Sequence, residues 1–387
     1  MPRLCVARIS RLAISIVLIA LGVTQTAPVE VNAAGESWFN DSWHFRKAIT
    51  IDATKVSSGP HTDFPVLVNL TSDSSLAANA QADGDDILFT SSGGATQLKH
   101  EIEKYGSSTG ALVAWVKVPS LPSSTDTVFF MYYGNGSATS QQDATNVWAN
   151  GYEAVYHLNG DSFLDSTSNA RNATNSGTVD ATGRTANGRD FEFGDTNDRL
   201  VLGTWSVSGS NITVQTWVNF ESFGMSDARL VSKGQSTNEQ DIVFMLSTNL
   251  SGADEVLRMR IKTGTNDAAN TTTFVATSGA LSTGTWYLAA ATYDGTNMRL
   301  LLNGTDVGST GKTGSLRENS WAIWAGNQAN GADPKPVDGV LDEIRVSSAT
   351  RTPGWITTEF NNQGTPTTFY AVGAATSSPA NFFQLFE

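Results

Sequence analysis

The sequence predicts an all-β chain, with an N-terminal antiparallel β-sandwich followed by a jelly-roll β-sandwich. Three observations carry this. Apolar and β-branched runs of strand length recur from end to end, each bounded by Gly, Pro, Ser, Asn or Asp. No segment of helical period lies between consecutive runs, which argues against βαβ units. Glycine is abundant, 35 of 387 residues, and 11 prolines add to the turn punctuation.

The first 34 residues read as a targeting segment. Arg3, Arg8 and Arg11 form a positive region ahead of a twelve-residue apolar run, Leu12 to Val23, broken by Ser15 alone. A membrane span needs about 20 such residues, whereas a secretory h-region is this short. Small residues at Val31-Asn32-Ala33-Ala34 place cleavage near Ala33 or Ala34. The expectation is a signal peptide over residues 1–34 and a secreted, periplasmic or cell-surface protein; an uncleaved anchor is the other reading. No second long apolar run occurs, so no membrane span is expected in the mature chain. The one cysteine, Cys5, precedes the apolar run. A mature chain without thiols has no disulfides, thiolate catalysis, Cys-bound zinc or iron–sulfur cluster.

The first β-sandwich domain is expected over residues 35–150. Its strands are Lys47 to Ile51, Pro65 to Leu70, Asp86 to Phe89, His100 to Tyr105, Ala111 to Val118 and Thr127 to Tyr133. The polar, turn-rich stretch from Gly134 to Asn150 marks the boundary. The jelly-roll domain is expected over residues 151–373. Its strands run from Glu153 to Leu158 through Arg189 to Phe193, Arg199 to Leu202, Asn211 to Phe220, Arg229 to Lys233 and Ile242 to Ser247. They continue with Val256 to Ile261, Thr272 to Thr277, Trp286 to Tyr293, Met298 to Leu302, Trp321 to Ala325, Val340 to Val346 and Thr368 to Val372. So many strands fit two stacked sheets. Asp294-Gly295 and Asn303-Gly304 are hairpin turns, because both pairs tolerate positive φ. One helix is expected, capped by Thr352 with Pro353 in its first turn and Trp355, Ile356 and Phe360 on one face. Residues 374–387 form a C-terminal tail.

Acidic residues outnumber basic ones 37 to 24, giving a net charge of −13. Phosphate backbones need a basic footprint, so nucleic acid is excluded as a partner.

Particular runs carry a family resemblance. Gly188-Arg189-Asp190-Phe191-Glu192-Phe193-Gly194, Ile212 to Asn219, Trp286 to Gly295 with Leu300 to Gly304, and Asp338 to Val346 follow one another in order. Together they resemble the concanavalin A-like, laminin-G-like jelly-roll superfamily. The first half, with Asp63 to Val68, Asp83 to Ile87, Ala114 to Pro119 and Met131 to Asn135, is similar to the bacterial domain of unknown function DUF2341. That domain often precedes a laminin-G-like module in exported proteins. The resemblance implies a fold and a location; these superfamilies hold lectins, adhesins, hydrolases and inert spacers, so fold does not fix function.

A glycosidase needs two carboxylates converging on the substrate. The Glu-x-Asp-x-x-Glu run of jelly-roll glucanases is absent. Asp342 and Glu343 are adjacent, so on a regular strand they face opposite ways. Glu101 and Glu103 share a face, but among Lys99, His100 and Lys104 they read as a solvated or ion-paired edge strand. Asp83, Asp85 and Asp86 around Gly84 read as turn chemistry before a metal loop. The four histidines, His44, His61, His100 and His157, have no paired spacing, and no nucleophile elbow or phosphate loop occurs. No catalytic residue is assigned.

Calcium takes six to eight hard oxygens, which an acidic, Asn-rich chain can supply. The resemblance implies a structural calcium where the first and last jelly-roll strands meet, with Asp165 and Asp342 as ligands. For glycans, Gln215, Trp217 and Asn219 share one strand face, a polar–aromatic–polar stripe suited to a sugar. Trp321 and Trp324 are further platform candidates, with Asn327, Gln328 and Asn330 as a rim. The expectation is a non-catalytic, exported protein that binds a carbohydrate or glycoprotein at the cell surface, with envelope proteins as possible partners. The alternatives are a glycoside hydrolase or lyase of the same superfamily and a structural spacer in an envelope assembly.

Overall fold

The computed structural model describes residues 37–195, 197–265, 270–331 and 333–379. The expected signal segment and residues 380–387 lie outside the described residues. The N-terminal strands are β1 (Phe45–Ile51), β2 (His61–Leu70), β3 (Leu88–Ser91), β4 (Gln97–Leu98), β5 (His100–Gly106), β6 (Ala111–Leu121) and β7 (Thr127–Tyr133). Short helices α1 (Ser74–Asn79) and α2 (Ala144–Val147) accompany them. There follow β8 (Tyr152–Tyr156), β9 (Thr174–Ser176), β10 (Val179–Thr182), β11 (Asn187–Phe191), β12 (Arg199–Gly203), β13 (Ile212–Phe220), β14 (Arg229–Gly234) and β15 (Ile242–Ser251). The chain continues through β16 (Asp254–Lys262), β17 (Thr271–Val275), β18 (Trp286–Tyr293), β19 (Asn297–Leu302), β20 (Thr305–Gly311), β21 (Ala322–Ala325) and β22 (Gly339–Ser347). Helices α3 (Pro353–Gly364) and α4 (Pro366–Phe369) precede the last strands, β23 (Tyr370–Val372) and β24 (Thr376–Ser377).

Two antiparallel sandwiches result. In the first, a sheet in the order β23-β1-β7-β3-β4 packs over the three-stranded sheet β2-β6-β5. Phe64, Val66 and Val68 of β2 face inward with Ile49, Phe89, Val116, Phe129 and Met131. In the second, a sheet in the order β10-β11-β22-β13-β18-β19-β20 faces one in the order β17-β16-β15-β14-β21-β12-β9, and β8 pairs with β22. First and last jelly-roll strands therefore adjoin, as the resemblance implied. Asn303 and Gly304 both have positive φ in the β19–β20 hairpin, as that turn requires.

The last expected strand belongs elsewhere. Thr368 to Val372 was assigned by pattern to the jelly roll, but Tyr370–Val372 pairs with β1, Ile49 opposite Val372. Thr376 and Ser377, expected in the tail, also pair with β1. A short apolar run specifies a strand but not its partner, which is set by where α3 delivers the chain.

Helix α3 begins as expected, with Thr352 Oγ1 accepting the Trp355 amide. It lies between the sandwiches rather than on one of them. Trp355 and Ile356 join the core of the first sandwich, together with Trp217, Leu288, Ala290 and Leu301 from the outward face of β13, β18 and β19. The helix also covers the open edge of β2. The Asn362 side-chain amide accepts from Leu67 N (2.7 Å) and donates to Leu67 O (3.0 Å). Tyr370 Oη does the same for Asn69, accepting at 2.7 Å and donating at 3.1 Å. Unpaired main-chain groups on a buried edge would otherwise be costly.

Two predictions follow from this packing. Asn362→Ala strips both partners from Leu67 and should cost about 1–3 kcal/mol for each orphaned group, read as a lower denaturant midpoint. His100 is fully buried against Phe89. Burial drives its pKa down to about 4, against the backbone carbonyls of Leu98 and Ile87. A folded pKa below the unfolded one gives stability that is complete above pH 6.5 and lost as pH falls through 4. His100→Phe should therefore flatten the acid limb of a Tm–pH curve between pH 6.5 and 4, by at most about 3 kcal/mol.

Candidate functional site

The central strands of the eight-stranded sheet, β22, β13 and β18, are buried on both faces. All nine residues of β22 are buried, although Asp342, Glu343 and Arg345 are charged. Buried charges need partners: Glu343 and Arg345 find them in the seam, in His157 and in Glu359 of α3, whereas Asp342 accepts from the Thr185 and Glu343 amides. A bulge makes this possible. Asp342 stands opposite Trp217 and Arg345 opposite Gln215, so Glu343 and Ile344 share the single position opposite Thr216. Glu343 takes the positive φ of 52° that the bulge demands. Leu341, Ile344 and Val346 keep their places in the jelly-roll core. Asp342 and Glu343 therefore face the seam together, where a regular strand would have separated them.

His157, just beyond β8, is the centre of the cluster. Nδ1 lies 2.7 Å from Glu343 Oε1 and 3.6 Å from Glu103 Oε2, and Nε2 lies 3.2 Å from Glu101 Oε2. Carboxylates on both sides make both ring nitrogens donors, so the imidazole is a cation. Burial alone would lower its pKa; Glu343 and Glu101 reverse that and hold it well above the ordinary histidine value. Each carboxylate is oriented by a further donor. Trp148 Nε1 (2.6 Å) and Ser166 Oγ (2.7 Å) donate to Glu101, Trp115 Nε1 donates to Glu103 (2.9 Å), and Arg345 Nη2 donates to Glu343 (2.6 Å). Arg345 also reaches Glu359 of α3 at 3.2 Å, and its guanidinium lies 4.4 Å from the Trp115 ring. The indole of Trp115 stacks on His157 at 5.5 Å.

The carboxyls divide sharply. Burial opposes ionisation of Glu343 and Glu101, but His157 overcomes it in both, and both titrate below the ordinary glutamate range. Burial dominates at Glu103, with the Glu343 charge adding to it against His157, and its pKa rises to about 8. Asp342 is likewise raised, by burial first and then by Glu343 and Glu103. A protonated acid beside an ionised one is the pairing used in sugar hydrolysis. Here, however, the side chains of Glu103 and Glu343 are 2% and 1% exposed, too sealed for a sugar ring.

The sequence-derived ligand residues are dispersed. Gln215 and Trp217 do share a face, but α3 occupies it: Gln215 Nε2 donates to Glu359 Oε2 (2.9 Å) and Trp217 Nε1 to Gln363 Oε1 (2.6 Å). Phe360 stacks on Trp217 at 5.8 Å. Asn219, half-buried on the same strand, has its Oδ1 buried without a partner. The stripe is thus a packing surface, not an open sheet, because Gln215 and Trp217 serve helix side chains rather than hydroxyls of a ligand. Trp321 packs against the jelly-roll core. Asn327 and Gln328 are buried fasteners, Gln328 Oε1 accepting from Arg229 Nε at 3.0 Å.

Trp324, half-buried like Asn219 and Trp321, lies on the outward face of the seven-stranded sheet. It sits on β21 between the buried Ile323 and Ala325, opposite Val201 and Ser232. The Arg199 guanidinium lies 4.7 Å over its ring and Gly331 stands at its margin, while the exposed Asn330 donates to Gln235 O at 3.2 Å. The same outward face carries Arg229, Arg258 and Arg260. Burial lowers Arg229 to about 9 and Arg258 to about 10, with Arg260 adding to both shifts.

The two assigned calcium ligands do not combine. Asp165 Oδ1 accepts from Val155 N and Thr167 N, and Oδ2 from Thr167 Oγ1 and Arg171 N, at 2.8–3.0 Å. Four donors fill its lone pairs, so as arranged Asp165 orders its own loop and does not fit an ion. Asp342 accepts from Thr185 N and Glu343 N. Neither belongs to a group of three ligand side chains within reach of one ion among the described residues. Two such groups do exist: Glu103, His157 and Glu343 in the seam, and Asp190, Glu192 and Glu221 on the surface. Glu101 and Glu103 carry the ion pairing that the sequence suggested, but buried beneath the second sandwich. Asp86 is a fully buried acceptor for Gln81 N, Gly134 N and Asn135 N, which is turn chemistry.

Known proteins match in the same order as the fold. Residues 83–176 match the domain of unknown function DUF2341, and residues 193–357 match the concanavalin A-like lectin/glucanases superfamily. No curated protein matches the chain. Solved structures of similar fold include domain 4 of AbnA, an extracellular arabinanase of Geobacillus stearothermophilus, in complex with arabinotriose. It is 19% identical, with 54% of this chain and 98% of that one covered and a TM-score of 0.43. The ligand binding domain of botulinum neurotoxin serotype D, in complex with N-acetylneuraminic acid, is 11% identical, with 57% and 53% covered and a TM-score of 0.44. This chain therefore spans about half of that toxin domain. A SAP-like pentraxin of Limulus polyphemus is 15% identical, with 40% and 72% covered and a TM-score of 0.31.

The seam makes a stability prediction. Arg345→Met leaves Glu343 and Glu359 buried without that cation and should cost about 3–5 kcal/mol in a denaturant melt. Because one network serves both sandwiches, near-ultraviolet circular dichroism should show a single transition shifted as a whole.

Proposed function

We propose that this protein is an exported, non-catalytic binding protein that recognises a carbohydrate or glycoprotein at the cell surface. The observation that carries the reading is Trp324. It is a half-buried aromatic ring on an outward sheet face, with the Arg199 guanidinium over it and Gly331 beside it. Sugars present C–H faces to rings and hydroxyls to such neighbours. The match of residues 193–357 to a superfamily of lectins and glucanases supports the same reading. The sealed environment of Glu103 and Glu343 supports a binding role over hydrolysis. No helix among the described residues is long and apolar enough to cross a membrane.

A glycan array and a reducing-end assay on the protein test this together. Selective binding without turnover is the expected outcome. Trp324→Ala should weaken that binding about tenfold or more at an unchanged Tm, since the side chain contributes little to the core. Release of reducing ends would instead establish a hydrolase, and absence of both would establish a spacer.

A further inference from the structure

The seam cluster has the anatomy of a metal centre. Glu103, His157 and Glu343 each offer a ligand atom, and these atoms lie within 4.8 Å of one another. Zinc ligands stand about 2.0–2.1 Å from the ion, so the edge of their tetrahedron is about 3.3 Å. The separations from His157 Nδ1, 2.7 Å to Glu343 and 3.6 Å to Glu103, bracket that value. The surrounding contacts are those that orient ligands. His157 Nε2 donates to Glu101, as a ligating imidazole turns its other nitrogen to a carboxylate. Arg345 holds the second oxygen of Glu343, and Trp115 holds one oxygen of Glu103. A second, independent observation concerns the other oxygen of the same carboxyl. The 3.6 Å separation and the Trp115 bond belong to Glu103 Oε2, whereas Oε1 is buried with no hydrogen-bond partner, on a side chain 2% exposed, and is the oxygen free to take an ion.

We propose that Glu103, His157 through Nδ1, and Glu343 bind one divalent ion of the zinc class, clamping β5 of the first sandwich to β22 and the segment after β8 of the second. The imidazole nitrogen favours zinc or cobalt over calcium, which takes oxygen ligands. Binding displaces the proton from Nδ1, so it releases at least one proton. The Glu101 side chain, 14% exposed, is the most open member of the cluster and marks the way in.

The test uses the full chain stripped with chelator and titrated with Zn²⁺ and then Co²⁺. One equivalent should bind, with tetrahedral cobalt absorption, proton release and a Tm raised by roughly 5 °C at a hundredfold excess over Kd. His157→Gln and Glu103→Gln should each weaken binding about 100-fold, while Asp190→Asn with Glu192→Gln leaves it unchanged. Histidine nitrogen NMR on the wild-type chain decides the matter even if a variant fails to fold. The imidazole in contact with the Trp115 and Trp148 rings must lose its Nδ1 proton at saturating zinc. Retention of that proton, no saturable binding of either ion, binding that survives both seam variants, or loss in the surface variant would each overturn the proposal.

Discussion

The architecture depends on keeping charge satisfied in a strand that has no solvent-facing side. Strand β22 is buried on one face by the jelly-roll core and on the other by α3 and the first sandwich. Asp342, Glu343 and Arg345 could not stay there alone, since an unpaired buried charge costs several kcal/mol. His157, Glu101, Glu359 and two indole N–H groups supply the balance, and they come from β5, β6, α2, the segment after β8 and α3. Residues far apart in sequence must therefore be in place at once, and the contact between the sandwiches is specific rather than merely greasy.

Much of this was legible in the sequence. Most strands, the hairpins at Asn303-Gly304 and Asp294-Gly295, and the helix start at Thr352 and Pro353 follow from local chemistry, whereas the polar or short β4, β9, β10, β20 and β24 carry no apolar run to mark them. A further signal was present and unread. Trp286 to Tyr293 is almost continuously apolar, and such a run marks a strand buried on both faces, not one with a wet side. Applied to β18, the neighbour of β13, that rule argues against an open sheet beneath Trp217. The bulge at Glu343 was not legible, because its cause is the core positions of Leu341 and Ile344, which only tertiary packing defines. Nor was the approach of His157 to Glu101 and Glu103, since a lone histidine carries no spacing signal.

Covering one sheet leaves the seven-stranded sheet as the other outward face of the jelly roll, although its middle strands β14 and β15 are largely buried as well. On the seven-stranded sheet, loops fold down over the middle: Ala329 N donates to Ser232 Oγ, and Gln328 bonds Arg229. Trp324 stays at the margin of that cover. Burial of Trp217 and half-exposure of Trp324 are thus two sides of one arrangement, in which the position of α3 decides which sheet meets solvent.

Strands β23 and β24 complete the sheet that β1 begins, across more than 300 residues of intervening chain. Closing so long a loop forfeits chain entropy long before the pairing returns anything. As the polypeptide emerges, one edge of β1 stays without these partners until β23 and β24 have been made, after the whole jelly roll. The sandwich that contains β1 is thus completed only once the second has been synthesised.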